Sequence, residues 1–227
     1  AAKYSFSREQ QDAFAVVSAQ RALAATASGA FATEIAPVTV KGRGGDTVIS
    51  TDEAPGKVRL DKIATLKPAF KKDGTITAAS SSSISDGAAA LVLMRASTAA
   101  AQGLKPLARI VSHAMHAQAP NWFSTAPIGA VNKVLARAGW AVNDVDLWEV
   151  NEAFAVVPMA LMHDLGVGHD SVNVNGGACA LGHPVGASGA RIMLTLIHAL
   201  QARGLRKGVA TLCIGGGEAT AVALEMI

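Results

Sequence analysis

The chain has 227 residues, of which half are apolar, 4% are aromatic and 16% are charged. This length supports one large domain or two small ones, with a core of Ala, Val, Leu and Ile. The small charged fraction favours an oligomer whose interfaces take up part of the surface. No apolar run reaches the roughly 20 residues of a membrane span, and no signal peptide opens the chain. The composition therefore argues against a membrane protein.

The formal net charge is +3, and the basic residues are scattered. A nucleic-acid surface is normally denser in charge and carries interleaved aromatic residues, so no nucleic-acid partner is expected. Charge alone leaves two alternatives, an anionic small molecule as ligand or a solvated basic face. The densest basic group comprises Lys57, Arg59, Lys62, Lys67, Lys71 and Lys72.

The two cysteines, Cys179 and Cys213, are too few for a disulfide scaffold and lack the spacing of a zinc site. A reducing compartment, the cytoplasm, is therefore expected. The histidines form no recognisable metal set, and no metal is predicted. The chain starts at Ala1, directly before a helix and without a methionine, so we expect it to be part of a longer protein.

The first third of the chain predicts one helix followed by a loop-rich stretch. Ser7 and Gln10 form a capping box for a helix over Ser7–Ser28, which Gly29 ends. Short extended pieces follow at Ile35–Val40 and Thr47–Ser50, separated by turns rich in Gly and Pro.

From Asp86 onward, apolar strands alternate with helices, which is typical of an α/β protein. The continuous apolar run Ala88–Met94 predicts a strand buried on both faces. A tight glycine turn joins the last two strands, which must therefore be antiparallel neighbours. The other predicted strands are Ala108–Met115, Val145–Val150, Ser171–Val174, Val209–Ile214 and Glu218–Ile227. The predicted helices are Ser97–Gly103, one with Pro127 in its first turn that stops at Gly139, Glu152–Asp164 and Gly186–Arg203.

His183 lies in a glycine-rich turn directly ahead of a helix, and Pro184 fixes the backbone after it. A rigidly held histidine is a good general base near neutral pH. Two other interpretations remain open from the local pattern: a structural histidine at a helix start, and a turn that binds phosphate. The turn is not a P-loop, because Gly-Lys-Ser/Thr is absent.

Cys213 and Asn151 also follow predicted strands, and α/β proteins place their sites at strand ends. Cys213 precedes three glycines and is either a reactive thiol or a small buried hydrophobe. Asn151 and Glu152 open a predicted helix, so helix capping is the alternative to chemistry. Ser82 lies in a Ser-rich turn and, by itself, reads as a turn residue.

Three motifs together resemble the thiolase family: Asn151-Glu152-Ala153-Phe154-Ala155, Gly182-His183-Pro184, and Cys213-Ile214-Gly215-Gly216-Gly217-Glu218. They occur in that family's order, with 32 residues from Asn151 to His183 and 30 from His183 to Cys213. The resemblance extends through Asn173–Ile192, and Ser7–Ala15 and Thr77–Met94 are similar to the family as well. It implies a layered αβα fold with a mixed five-stranded sheet in the C-terminal half, preceded by a loop-rich subdomain.

The resemblance also implies acyl transfer from coenzyme A (CoA) thioesters through a nucleophilic cysteine. His183 would activate that nucleophile, Cys213 would move the proton at Cα, and Asn151 would hold a water that stabilises the enolate. The backbone N–H of Gly215 would join an oxyanion hole. CoA is then substrate and product, and no cofactor is implied. The residues expected along the CoA and acyl-binding cleft are Ser82, Ala78, Phe70, Phe123, Ala153 and Phe154.

The chain departs from the family in lacking the upstream segment with the nucleophile. By analogy, residues 1–84 form a loop subdomain, 85–106 complete an N-terminal half, and 107–227 form the C-terminal domain. A second chain or a further segment is expected to supply the rest, within a homodimer or homotetramer. Ser80 stands where thiolases commonly have Asn.

The leading interpretation is a thiolase of the acetyl-CoA acetyltransferase type, in which two acetyl-CoA condense to acetoacetyl-CoA or the reverse occurs. A 3-ketoacyl-CoA thiolase of fatty-acid or aromatic breakdown is the runner-up. Two further hypotheses are Cys179 as a replacement nucleophile and a catalytically silent CoA-binding subunit. Ketosynthases share the general fold but use two histidines, whereas this chain has His183 and Cys213.

Overall fold

The computed structural model describes residues 1–227. Its N-terminal part holds the helix α1 (Arg8–Ser28), a small antiparallel hairpin and the short helix α2 (Ala96–Ala101). The strands of the hairpin are β1 (Val38–Val40) and β2 (Thr47–Ile49). The capping box at Ser7 and Gln10 is confirmed, and Gly29 ends α1 in the left-handed conformation. Apart from these elements, residues 30–95 form loops and short 3-10 turns, which the sequence predicts for residues 30–75.

The C-terminal part is built around one mixed sheet, whose strand order is β3-β6-β5-β4. β4 pairs with β5 in parallel, and the other neighbours are antiparallel, including the predicted hairpin of the last two strands. The strands are β3 (Ala108–Ala117), β4 (Leu147–Val150), β5 (Lys207–Ile214) and β6 (Glu218–Met226). The helices are α3 (Ala126–Ala138), α4 (Val156–Leu165), α5 (Ala178–Leu181) and α6 (Ser188–Arg203). The remaining 3-10 turns are Ala2–Tyr4, Pro55–Lys57, Leu60–Thr65, Pro120–Thr125, Val142–Asp144 and His169–Ser171.

Helices cover both faces of this sheet, so the core has two parts. Alternate residues of β5 point to opposite faces, as strand geometry requires. Val209 and Cys213 pack with α3 and α4, whereas Ala210 packs with α6. The layered αβα arrangement follows from this alternation, and the predicted α/β class is confirmed.

The predicted fifth strand, Ser171–Val174, is wrong as a regular strand. It touches the sheet only through a parallel bridge between Val172 and Trp148. The left-handed backbone at Asn173, where φ is 48°, ends the extended conformation at once. The sheet therefore has four strands and a one-residue continuation beside β4.

The strand predicted at Ala88–Met94 is also absent, because no strand of this chain pairs with it. Its apolar side chains lie largely in the open: Ile84 just before it is 100% exposed and Val92 is 87% exposed. A sequence typical of a strand buried on both faces here has no neighbour to bury it. Since Ile84 bridges to His183, the largely exposed stretch that follows it, residues 85–94, is called the unpaired segment below.

The turn between β5 and β6 depends on Gly217, whose φ is 97°. A Cβ there would lie 2.2 Å from the carbonyl oxygen of Gln118, whereas a Cβ on Gly204, whose φ is 64°, would meet nothing within 4 Å. Both replacements by alanine strain the backbone, but only one also clashes.

We expect Gly217→Ala to lower the free energy of unfolding by about 3 kcal/mol, through left-handed strain and overpacking. The matched variant Gly204→Ala should cost only about 1 kcal/mol. Urea denaturation followed by circular dichroism measures both. Equal losses would show that the contact with Gln118 does not constrain the turn.

Candidate active site

The parallel pairing of β4 with β5 brings two predicted site residues to one edge of the sheet. Val150 lies opposite Thr211, and the N–H of Asn151 donates to the carbonyl oxygen of Thr211 at 3.0 Å. Cys213 follows two residues further along β5. The carboxyl ends of parallel strands are where α/β folds place their sites.

The side chain of Asn151 is buried without a hydrogen-bond partner. It is 1% exposed, and neither its Oδ1 nor its Nδ2 has a partner in the protein. Helix capping does not account for it, because α4 begins only at Val156 with Ala155 as its N-cap. A buried amide without partners is rare in native structures and calls for a ligand or water.

The Ser-rich loop lies between the Asn151 motif and the His183 turn. Ser82 donates to the carbonyl oxygen of Ala153 from both its N–H, at 3.1 Å, and its Oγ, at 3.2 Å. On the other side, the N–H of His183 donates to the carbonyl oxygen of Ser83 at 3.0 Å. Hydrogen bonds from this loop therefore link the segment that holds Ala153 to the turn that holds His183. The same pairing, with a bridge between Ser81 and Phe154, delays the start of α4 past Glu152.

His183 is half-buried and is held by Ser188, which the sequence analysis did not single out. Its Nδ1 lies 2.5 Å from Ser188 Oγ, and that hydroxyl donates to the carbonyl oxygen of Pro184 at 3.3 Å. Because the serine has one proton, a hydroxyl that donates to Pro184 accepts the histidine proton from Nδ1, and Nε2 is then unprotonated. Burial, with a smaller contribution from the Arg191 cation, lowers the pKa of His183 below its ordinary value. The imidazole is thus neutral near neutral pH and able to act as a base.

Cys213 is a buried thiol in the same packed cluster as Ala153 and Phe154. Burial raises its pKa to about 11, so the thiol is protonated near neutral pH. After it, the chain turns through Gly215, which is exposed and has nothing within 4 Å of where its Cβ would lie. A ligand can therefore approach the backbone of this turn closely.

Phe70, Phe123 and Phe154 line one cleft of about 550 Å³. The ring centroids of Phe70 and Phe154 are 5.7 Å apart, and those of Phe123 and Phe154 are 6.2 Å apart, both in edge-on contact. Lys71 lies at the same cleft. Ala78 is exposed and does not line it. The cleft has an aromatic wall with a cation, Lys71, and a carboxylate, Asp73, at its side.

The basic group of residues 57–72 divides in two. Lys57, Arg59 and Lys62 form ion pairs with neighbouring carboxylates, at Glu53 and Asp61. Lys67, Lys71 and Lys72 have no ion-pair partner in the chain. The second half is therefore the part available to an anionic ligand.

The environment of Cys179 argues against its acting as a replacement nucleophile. Its backbone N–H donates to Glu152 Oε2 at 3.0 Å, and its thiol lies against the carbonyl oxygen of the same residue. Burial and the nearby Glu152 carboxylate raise the pKa of this thiol well above the ordinary value. The thiolate, which is the reactive form, is thus disfavoured.

The models of two thiolase domains match the chain. The N-terminal domain matches residues 1–97 and the C-terminal domain matches residues 104–226. The acetyl-CoA acetyltransferase of Chromobacterium violaceum is 52% identical over 227 residues, which are 99% of this chain and 58% of that protein. The chain belongs to the thiolase family, and it spans somewhat more than half the length of the relatives it matches.

Solved structures agree with this assignment. Acetyl-CoA acetyltransferase from Bacillus anthracis superposes with a TM-score of 0.96 at 44% identity, covering 99% of this chain and 57% of that one. Human mitochondrial 3-ketoacyl-CoA thiolase gives 0.91 at 37% identity, over 100% and 57%. The Acat5 thiolase from Ascaris suum, in complex with coenzyme A, gives 0.87 at 39%, over 99% and 57%. The thiolase-like fold predicted from the motifs is thus confirmed.

Two further features bear on the class of site. No three His, Cys, Asp or Glu side chains lie together in a way that would hold a metal ion. Among the helices, none combines the length and the apolar character needed to cross a membrane.

Replacing Arg191 by methionine should raise the pKa of His183, because a cation beside the imidazole is lost. The base would then become protonated at a higher pH than in the parent. NMR titration of isotope-labelled histidine measures this directly, with Arg206→Met, an exposed arginine, as the control. An unchanged pKa in Arg191→Met would show that burial alone sets it.

Proposed function

We propose that this chain is the C-terminal part of an acyl-CoA C-acyltransferase of the acetyl-CoA acetyltransferase type. The enzyme would condense two acetyl-CoA to acetoacetyl-CoA and CoA, or carry out the reverse thiolysis. The observation that carries the proposal is the unpaired, buried amide of Asn151 at the sheet edge that also bears Cys213. The names of the relatives and the CoA complex of one structural neighbour support the substrate class.

In the first half of the reaction, a nucleophilic cysteine outside this chain attacks the thioester carbonyl of acyl-CoA. His183 activates this nucleophile by taking its proton at Nε2, the nitrogen that Ser188 leaves free. The N–H of Gly215 donates to the oxyanion of the tetrahedral intermediate, where the open backbone turn leaves room. The carbon–sulfur bond to CoA then breaks, and the CoA thiolate takes the proton of the Cys213 thiol as it leaves. Cys213 is thereby left as a thiolate, and His183 keeps the nucleophile's proton on Nε2.

In the second half, Cys213 removes a proton from Cα of a second acetyl-CoA. Its raised pKa makes the thiolate a strong base toward a weak carbon acid once it has formed. The amide of Asn151 holds a water that, with His183, donates to the enolate oxygen. The enolate carbon attacks the acyl-enzyme carbonyl, a carbon–carbon bond forms, and the nucleophile leaves as thiolate.

The arrangement of the loop supports a binding path for CoA. Ser82, beside Ala153, would contact the pantetheine, with Phe70 and Ala78 along the same path. Phe123 and Phe154 would wall the acyl group in the cleft. The unpaired cations Lys67, Lys71 and Lys72 are suited to phosphate. CoA is a substrate here and no further cofactor is invoked.

The nucleophile and the missing strands would come from an N-terminal polypeptide, in the same chain or a second one. Residues 1–84 would then form the loop subdomain, 85–106 the end of the N-terminal half, and 107–227 the C-terminal domain. The exposed apolar unpaired segment supports this, because a strand beside it would bury Val92. We infer a homodimer or homotetramer in the cytoplasm with a role in fatty acid metabolism.

A 3-ketoacyl-CoA thiolase acting on longer chains is the second candidate, since one structural neighbour carries that name. Relative kcat/KM values for acetoacetyl-CoA and longer 3-ketoacyl-CoA substrates separate the two candidates. A silent CoA-binding subunit is less well supported, because binding alone gives no reason to keep an unpaired buried amide.

In the assembled enzyme, Cys213→Ser should slow exchange of the Cα protons of acetyl-CoA by about 100-fold, because the general base is weakened. Formation of the acyl-enzyme should persist. His183→Ala should impair both steps. Proton exchange by NMR and acyl-enzyme formation by mass spectrometry provide the two readouts.

Cys179→Ser is the matched control for that experiment, because it changes a second buried cysteine to the same residue. It should leave both steps within about twofold of the parent, because Cys179 binds Glu152 through its backbone N–H, which serine retains. Full proton exchange in Cys213→Ser would refute the role given to that thiol. Loss of acylation in Cys179→Ser would favour the replacement nucleophile instead.

Val92→Asp should prevent assembly with the N-terminal polypeptide while leaving the stability of this chain nearly unchanged, since Val92 is exposed in it. A carboxylate at that position would have to be buried in the completed sheet. The probe is the N-terminal part of the Chromobacterium violaceum relative that this chain does not cover, co-purified with the tagged chain. Val48→Asp, an exposed valine in the hairpin, should still assemble; equal assembly of both variants would place the contact elsewhere.

A further inference from the structure

We propose that Glu152 is a positioning residue, whose buried carboxylate fixes Asn151 relative to the turn that carries His183. The inference rests on the proposed function, because it assigns a task to a residue beside that site. Glu152 does not touch the substrate in this account. It acts through the two residues that do.

The carboxylate of Glu152 joins three distant segments of the chain. Its Oε2 accepts hydrogen bonds from Ser18 Oγ of α1 at 2.7 Å and from the N–H of Cys179 at 3.0 Å. Its Oε1 accepts from Asn173 Nδ2 at 2.8 Å. The side chain is 0% exposed, so these donors replace the water that a carboxylate otherwise needs.

Because the side-chain amide of Asn151 makes no hydrogen bonds within the chain, the position of this residue is set by its neighbours Val150 and Glu152. Val150, on one side, is held by the side chain of Asn173, which accepts from the Val150 N–H and donates to the Val150 carbonyl oxygen, both at 2.8 Å. Glu152, on the other side, is held by the carboxylate contacts. The same asparagine serves both, so one buried pair fixes the backbone on either side of Asn151.

The turn before His183 is fitted closely to this carboxylate. A Cβ on Gly177 would lie 2.3 Å from the carboxyl carbon of Glu152, and the N–H of Gly177 donates to Ser18 Oγ at 3.0 Å. Cys179 precedes His183 by four residues and donates directly to the carboxylate. The Glu152 carboxylate therefore helps to fix the position of the turn that carries His183, as well as the backbone beside Asn151.

Glu152→Gln tests this inference in the assembled protein. The amide replaces one acceptor oxygen by a donor, which must face either Asn173 Nδ2 or the donors Ser18 and Cys179. We expect kcat to fall about 10- to 100-fold through misplacement of the site, while KM for acyl-CoA changes less than about threefold.

Glu149→Gln is the matched control, because Glu149 is a second buried glutamate, three residues earlier on β4, placed toward Arg191 and not toward these donors. Burial raises the pKa of Glu149 to about 8, so a neutral amide resembles its state near neutral pH. Its kcat should stay within about threefold of the parent. Should Glu152→Gln fail to fold, Ser18→Ala removes one of the three bonds and should lower kcat by a smaller factor.

NMR of isotope-labelled histidine supplies a readout that needs no catalysis. The His183 signal should shift or broaden in Glu152→Gln and remain at its parental position in Glu149→Gln. Equal kcat values and equal His183 signals in the two variants would overturn the inference. A parent protein without thiolase activity would overturn the proposed function instead, and the NMR comparison would still decide the positioning role.

Discussion

The parallel pairing of β4 with β5 is the constraint on which the rest of the site depends. It sets Asn151 beside the strand that leads to Cys213, and the side chain of Asn173 hydrogen-bonds both backbone groups of Val150, the last residue of β4. The backbone is thereby fixed where the asparagine amide is left without partners. Hydrogen bonds made by neighbouring groups hold this amide in place, so that its own donor and acceptor stay free for a ligand.

The loop-rich N-terminal part matters to the site as much as the sheet does. Its Ser-rich loop inserts between Ala153 and His183, and α1 contributes Ser18 to the buried carboxylate. The two parts of the chain are therefore bound together at the point where the chemistry is proposed. By contrast, the unpaired segment exposes apolar side chains to solvent. Such exposure is typical of a surface that binds another polypeptide segment.

Much of this arrangement follows from local sequence. The capping box at Ser7 predicts the start of α1, and the glycine turn after Cys213 predicts the last hairpin. The roles predicted for His183, Cys213 and Asn151 rest on the resemblance of their motifs, in order and spacing, to the thiolase family. The failures share a cause, since each depends on a distant partner. Ala88–Met94 lacks the neighbour that would make it a strand, and α4 begins late because Phe154 pairs with Ser81. Glu152 gave a local signal only for helix capping, and Asn173 and Ser188 gave none by themselves, because the roles of all three arise from contacts across the fold.

The most direct test of the central claim is intact-protein mass spectrometry of the chain together with its N-terminal polypeptide, with and without acetyl-CoA. We expect an acetyl adduct on the N-terminal polypeptide, formed only when His183 is present. An adduct on Cys179 of this chain, or no adduct on either polypeptide of a well-assembled sample, would contradict it.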